Sequence, residues 1–300
     1  MIPVQFKVIS IHFTRSCNLD CPFCYRNKEK AGEEKSRQFF IDLIPLLKIL
    51  TPQLALGGGE PLLDTGFIKN MAITCKHHGL IFNFTTNGKK FLEMTDVEIR
   101  TVLQNVSMVS ISFDYYKWGK DAHQYAKLIH RLKKITGSQI NLHSKNPSGL
   151  NRVGMNSPQI GANILMDPAM FKNNGIPFLK LVQWLFIGAR VDRVYALYPK
   201  SGDFIDILAV KQVFFALTTR FPRFYVDDLT KKIFEDRYPP WQHPCHSGKD
   251  ILNIDECGGV SGCSFDINPI LKLGTPGDLL QIHNISIPER LECPYFPQMH

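Results

Sequence analysis

The sequence predicts an α/β protein built on a parallel sheet, open or closed into a barrel, with a small cysteine-rich extension. Short β-rich segments alternate with helical periodicities through the first two-thirds of the chain, and strands that alternate with helices pair in parallel. From about Phe224 that rhythm stops, and proline, aromatic residues and then cysteine become frequent. A boundary near residue 225 follows. The expected domains are 1–225 for the sheet and its helices and 226–300 for the extension.

Six strands are expected in order. Val4 to Phe13 alternates apolar and polar residues, and Gln53 to Leu56 is short and runs into Gly57-Gly58-Gly59. Leu80 to Thr85, Val106 to Phe113, Ile160 to Leu165 and Val191 to Leu197 complete the set. Between them, Ile68, Met71, Ala72 and Cys75 fall at helical spacing, as do Ala122, Tyr125, Ala126 and Ile129. Phe178, Leu181, Val182, Leu185 and Phe186 make a third stripe, with Pro177 suited to a first helical turn. Thr95 and Glu98 form a capping box. Over Phe39 to Leu50 the pattern is helical, but Pro45 predicts a kink or a later start. Residues 136–159 are rich in turn formers and read as an insertion.

Composition excludes several classes. The 300 residues carry a net charge of +8, with 21% charged and 44% hydrophobic residues, a globular mixture rather than a disordered one. No stretch approaches the roughly 20 consecutive apolar residues of a membrane span. The first residues lack the basic and apolar regions of a secretory signal, so a cytoplasmic protein is expected. Basic residues come as pairs such as Lys133-Lys134 and Lys231-Lys232, and such pairs mark no clear nucleic-acid site.

Eight cysteines remain to be explained, and in a reducing compartment they point to metal binding or catalysis. Cys17, Cys21 and Cys24 follow the first strand as Cys-x3-Cys-x2-Cys. Zinc in a structural site takes four ligands, and no fourth Cys or His follows at finger-like spacing. A four-iron cluster normally takes four cysteines, so a cluster on three leaves one iron open to a small ligand. His12 reads as a residue of the preceding strand, and Cys75 as a small buried hydrophobe on its helix.

The stretch HFTRSCNLDCPFCY resembles the cluster loop of the radical S-adenosylmethionine (radical SAM) superfamily, including the aromatic residue, Phe23, before the last cysteine. Gly58-Gly59-Glu60-Pro61 resembles that family's GGEP motif. Thr85-Thr86-Asn87-Gly88 and Ser110-Ile111-Ser112-Phe113-Asp114 follow at the third and fourth strands. The resemblance implies a partial (β/α)6 barrel of TIM type with a [4Fe-4S] cluster on Cys17, Cys21 and Cys24. It also implies S-adenosylmethionine bound near Tyr25, Gly58, Gly59, Glu60, Pro61, Thr86, Asn87, Ser112 and Asp114. In that family reductive cleavage of S-adenosylmethionine gives a 5′-deoxyadenosyl radical that takes a hydrogen atom from substrate. For Asp114 a helix N-cap is an equally good reading.

The tail reads as a β-hairpin: apolar alternation over Ile251 to Ile254, a glycine turn, and a second short strand ending at Cys263. It resembles the twitch and SPASM extensions of radical SAM enzymes. That implies a second, auxiliary [4Fe-4S] cluster on Cys245, Cys263 and Cys293. Cys257 departs from the pattern, and three roles stay open for it: a fourth ligand, a hydrogen-atom donor to a substrate radical, or a turn residue without a role. The resemblance implies a peptide or protein substrate of the ribosomally made kind, and a reductant such as ferredoxin or flavodoxin. Modification of a nucleotide or other small metabolite is the alternative. A zinc-stabilised basic binding protein is the reading from another class.

Overall fold

The computed structural model describes residues 6–24, 32–138, 157–197, 207–226, 248–263 and 268–284. Of the expected features, most of the insertion over 136–159 and the residues Tyr25, Cys245 and Cys293 lie outside that set.

Two units divide the chain: Met1–Val109, Asn151–Pro158 and Cys245–Arg290 in the first, Ser110–Leu150, Gln159–Pro244 and Leu291–His300 in the second. In the first unit lie β1 (Val8–His12), α1 (Arg37–Leu50), β2 (Gln53–Gly57), α2 (Thr65–His77), β3 (Ile81–Thr86) and α3 (Asp96–Leu103). Strand β4 (Met108–Phe113) begins there and ends in the second unit, which continues with α4 (Tyr115–Trp118), α5 (Ala122–Thr136) and β5 (Gln159–Leu165). Helix α6 (Ile176–Ile187), β6 (Arg193–Leu197), α7 (Ile207–Arg220) and β7 (Phe224–Val226) follow. The chain returns to the first unit with β8 (Ile251–Ile254), β9 (Gly259–Ser261) and β10 (Leu271–Lys272).

In the first unit β1 pairs in parallel with β2 and β2 with β3, while β8 pairs in parallel with the other edge of β1. Strands β9 and β10 extend this sheet antiparallel. In the second unit β5, β6 and β7 pair in parallel. The tail hairpin forms as expected, but it continues the first unit's sheet instead of standing apart from it. Its apolar residues Leu252 and Ile254 supply the burial that makes this favourable.

Period-2 alternation decides which face is buried. Ile9, Ile11, Leu54 and Phe82 are inaccessible, and each neighbouring helix buries an apolar side, α1 with Phe40, Leu43 and Leu47 and α2 with Ile68, Met71 and Cys75. Pro45 lies within α1 without ending it. A mid-helix proline costs about 3 kcal/mol, but Ser36 caps the helix through Phe39 N at 3.2 Å and six side chains are buried along it. Tertiary burial prevails over the local preference. Asp64 caps α2, and the expected capping box of Thr95 and Glu98 is present at α3.

Helix α7 and strand β7 are among the elements that went unread in the sequence. Helix α7 buries Ala209, Val210, Val213, Phe214 and Leu217, and β7 adds a seventh parallel strand after the six expected. Strand β7 has three residues, too few for alternation to declare it. Its Phe224 packs on Phe214 at 5.2 Å between ring centroids. In the same unit the buried Asp192 carboxylate accepts hydrogen bonds from Lys133, from Ser138 Oγ at 3.0 Å and from Ile160 N at 2.7 Å. That tethers the end of α5 and the start of β5 to the approach to β6.

Candidate functional site

The three-cysteine loop leaves the C-terminal end of β1 and is held by backbone before any side chain is considered. Gly59 N donates to Thr14 O at 2.7 Å, and Glu60 N donates to Ser16 O at 2.8 Å. This approach is closed to any residue but glycine. A Cβ on Gly59 would lie 1.9 Å from Ser16 O, and one on Gly58, whose φ is +134°, 2.8 Å from Thr14 O. The GGEP turn therefore lies directly on the segment that leads into Cys17.

Glu60 then ties this assembly to β3. It caps the short 3-10 helix Pro61–Leu63, accepting from Leu62 N at 2.9 Å. The same oxygen accepts from Thr86 Oγ1 at 2.6 Å, and the other from Asn87 N at 2.8 Å. Glu60 is 1% exposed. Asn87 Nδ2 donates to Asn18 Oδ1 at 2.7 Å, inside the cysteine loop, while its Oδ1 accepts from Lys89 N at 2.9 Å. Gly58, Gly59, Glu60, Thr86 and Asn87 are thus brought together with the loop of Cys17. Pro61 is the first residue of that short helix, buried beside them.

Behind the loop lies an ionic cluster that the sequence reading missed. Arg15, with 14% of its side chain exposed, lies 3.2 Å from Glu256 and 3.7 Å from Glu34. Its Nη2 donates to Gly32 O and reaches Cys257 Sγ at 3.5 Å. Glu34 accepts from Arg15 N at 2.7 Å and from Thr14 Oγ1 at 3.2 Å. Arg37 donates to Phe13 O at 3.0 Å and pairs with Asp64 at 2.9 Å. No spacing rule joins residues 15, 34 and 256. The pairing of β8 with β1 brings them together.

Cys17 and Cys21 are half-buried, Cys24 is exposed, and none of them is in a disulfide. Leu19 N lies 3.5 Å from Cys17 Sγ, the kind of amide contact that steadies a ligating sulfur. Three accessible thiols on one loop and a glycine cradle beside them fit a cluster with one corner left for another ligand.

Cys257 lies in the turn between β8 and β9, buried, with its backbone N donating to Asp255 Oδ1 at 2.9 Å. Cys263 lies past the far end of β9, next to Gly262, whose carbonyl accepts from Gly248 N at 3.2 Å. The two residues therefore flank the three-residue strand β9 on opposite sides. Cys75 is inaccessible on α2, where burial pushes its thiol up, which suits the inert role expected of it.

In the second unit Asp114 caps α4, accepting from Lys117 N at 2.8 Å and pairing with Lys117 Nζ. The N-cap reading of Asp114 is realised. Ser112 is half-buried on β4.

Residues 11–141 match the family model of the Radical SAM superfamily. Among curated proteins the chain is 32% identical over 107 residues to the sporulation killing factor maturation protein SkfB of Bacillus subtilis, covering 35% of this chain and 25% of that protein. It is 27% identical over 132 residues to a probable GTP 3′,8-cyclase of Archaeoglobus fulgidus, covering 42% and 43%. Among solved structures, Streptococcus suis SuiB bound to precursor peptide SuiA is similar at a TM-score of 0.63 and 14% identity, over 97% of this chain and 66% of that one. The matched stretches thus span less than half of either curated relative. At 14% identity the likeness to SuiB establishes the fold alone.

The match to the Radical SAM superfamily thus lies in residues 11–141, and the α/β fold with parallel strands is similar to that of SuiB. No described helix is long and apolar enough to cross a membrane.

The Glu60 bracket generates a prediction. Glu60→Gln keeps the shape but sets an NH2 group against one of the buried donors, at a cost of about 2–4 kcal/mol. Thermal unfolding should shift down by about 5 °C or more, with weaker S-adenosylmethionine binding. An unchanged Tm would show that the bracket carries no stability.

Proposed function

We propose that the chain is a radical SAM enzyme acting on a peptide. Cys17, Cys21 and Cys24 would hold a [4Fe-4S] cluster whose open iron takes S-adenosylmethionine. The observation that carries this reading is the bracket around the cysteine loop, in which three strand ends are locked by Gly59, Glu60, Thr86 and Asn87. When bound, cluster and S-adenosylmethionine supply a 5′-deoxyadenosyl radical able to abstract a hydrogen atom.

The chain's own part is binding and orientation. Gly58 and Gly59 give the methionine end of the cofactor access to backbone. Pro61, Thr86, Asn87, Ser112, Asp114 and Tyr25 are the further contacts the resemblance implies. Glu60 acts in this reading chiefly as a positioning residue, since its carboxylate holds the ends of β2 and β3 together. A peptide substrate is supported by SuiB, solved with its precursor peptide, and by the name of the maturation protein SkfB. The likeness to a GTP cyclase favours the second reading, a nucleotide or other small metabolite. Electrons would come from a ferredoxin or flavodoxin, in a cytoplasmic setting that keeps thiols reduced.

For the tail, the proposal is an auxiliary [4Fe-4S] cluster on Cys245, Cys263 and Cys293. In this reading Cys257 is not a ligand, which its position in the β8–β9 turn within reach of Arg15 supports. Its proposed role is hydrogen-atom donation. The S–H bond breaks as a C–H bond forms at the substrate radical, and the sulfur radical left behind is restored by one electron from the reductant and one proton from solvent.

Iron analysis on anaerobically reconstituted protein tests these assignments. Changing Cys17, Cys21 or Cys24 to Ala should remove about half the iron and abolish deoxyadenosine formation. Cys263→Ala should remove a similar share and spare some uncoupled cleavage. Cys257→Ala should keep the full complement of iron and the cleavage. Deoxyadenosine formed without Cys17 would refute the first assignment, and iron lost with Cys257 would return that residue to the ligand set.

A further inference from the structure

One face of the first unit's sheet has chemistry the cluster loop does not use. The register sets Asn253, Ser10, Ala55 and Asn83 in a single row across β8, β1, β2 and β3. By alternation they lie opposite the apolar face of Ile9, Ile11 and Leu54. Asn83 is 7% and Asn253 2% exposed, and the Oδ1 of each has no hydrogen-bond partner among the described residues. Asn253 Nδ2 is committed to Ser261 Oγ at 3.4 Å. Between the two amides the row holds only Ser10 and Ala55, both half-buried. In the next row toward the cluster loop, a Cβ on Gly57 would meet the His12 ring at 3.0 Å.

The row is thus a trough of small side chains with a bare carbonyl oxygen at each end. It lies two residues, about 7 Å, below the strand ends that carry the cluster loop and the GGEP turn. Leaving a buried carbonyl without a donor costs about 1–3 kcal/mol, and folded proteins rarely leave one. Two in one row mark acceptors kept for a ligand. Both are neutral, whereas cationic donors are held by carboxylates, so the complementary group is a neutral N–H donor.

We propose that Asn83 and Asn253 form a subsite for the backbone or side-chain amide N–H groups of the peptide substrate. This rests on the peptide reading above and names the groups by which such a substrate would be held below the radical site.

The test uses N-acetylglycinamide, a capped unit of peptide backbone, as probe on the iron-loaded full chain, read by saturation-transfer NMR. Wild type should show saturable transfer, and the double variant Asn83→Leu with Asn253→Leu should lose about fivefold or more of it while keeping its iron and its affinity for S-adenosylmethionine. Asn83→Leu should also melt at or above the wild-type Tm, because an unsatisfied carbonyl has been removed. Equal transfer in wild type and double variant overturns the subsite. So does a lowered Tm in Asn83→Leu, which would show that amide holding structural water instead. If the leucine variants fail to fold, the alanine variants are read for transfer with the same expectation. The probe has no reacting group, so Asn-dependent transfer in an enzyme that does not cleave S-adenosylmethionine would support the subsite while refuting the radical reading.

Discussion

Gly59 lies so close to Ser16 that no side chain fits between them, and the geometry of the site descends from that contact. The Gly59 and Glu60 amides are spent on carbonyls of the cysteine loop, which fixes where that loop leaves β1. Glu60 can then turn its carboxylate inward to Thr86 and Asn87, and Asn87 reaches back to Asn18 in the loop. Each bond presupposes the one before it. A carboxylate this buried is tolerated because three donors meet it.

The tail enters the same arrangement through β8. Pairing with β1 carries Glu256 and Cys257 to Arg15, two residues before Cys17, and Glu34 closes the cluster from the other side. A half-buried guanidinium placed between two carboxylates makes the entrance of the cysteine loop depend on residues some 240 positions further along the chain. The hairpin turn is therefore packed against the residues that lead into the cysteine loop.

Much of this was legible in the sequence because it rests on local patterns. The strands over 53–56 and 160–165, the stripe of Ile68 to Cys75 and the capping box of Thr95 are set by residues near one another, and all appear. The three-cysteine loop and the GGEP turn were legible as motifs, and the hairpin as an alternation. What escaped depends on contacts between distant segments. Pro45 predicts a kink or a later start, yet the helix already begins at Arg37, with six side chains buried along it. Strand β7 is too short to announce itself, and its place comes from pairing with β6. The cluster of Arg15, Glu34 and Glu256 has no linear signature, and the bare carbonyls of Asn83 and Asn253 become visible only once the register puts them in one row.

The most direct measurement of whether the GGEP turn shapes a cluster site is the electron paramagnetic resonance of reduced, reconstituted Gly59→Ala, with and without S-adenosylmethionine. The added methyl would lie 1.9 Å from Ser16 O, so the turn must withdraw from the loop. Wild type should give a cubane signal that changes when S-adenosylmethionine is added. The variant should keep its secondary structure by circular dichroism but lose that response. A variant whose signal responds to S-adenosylmethionine as wild type does would contradict the account.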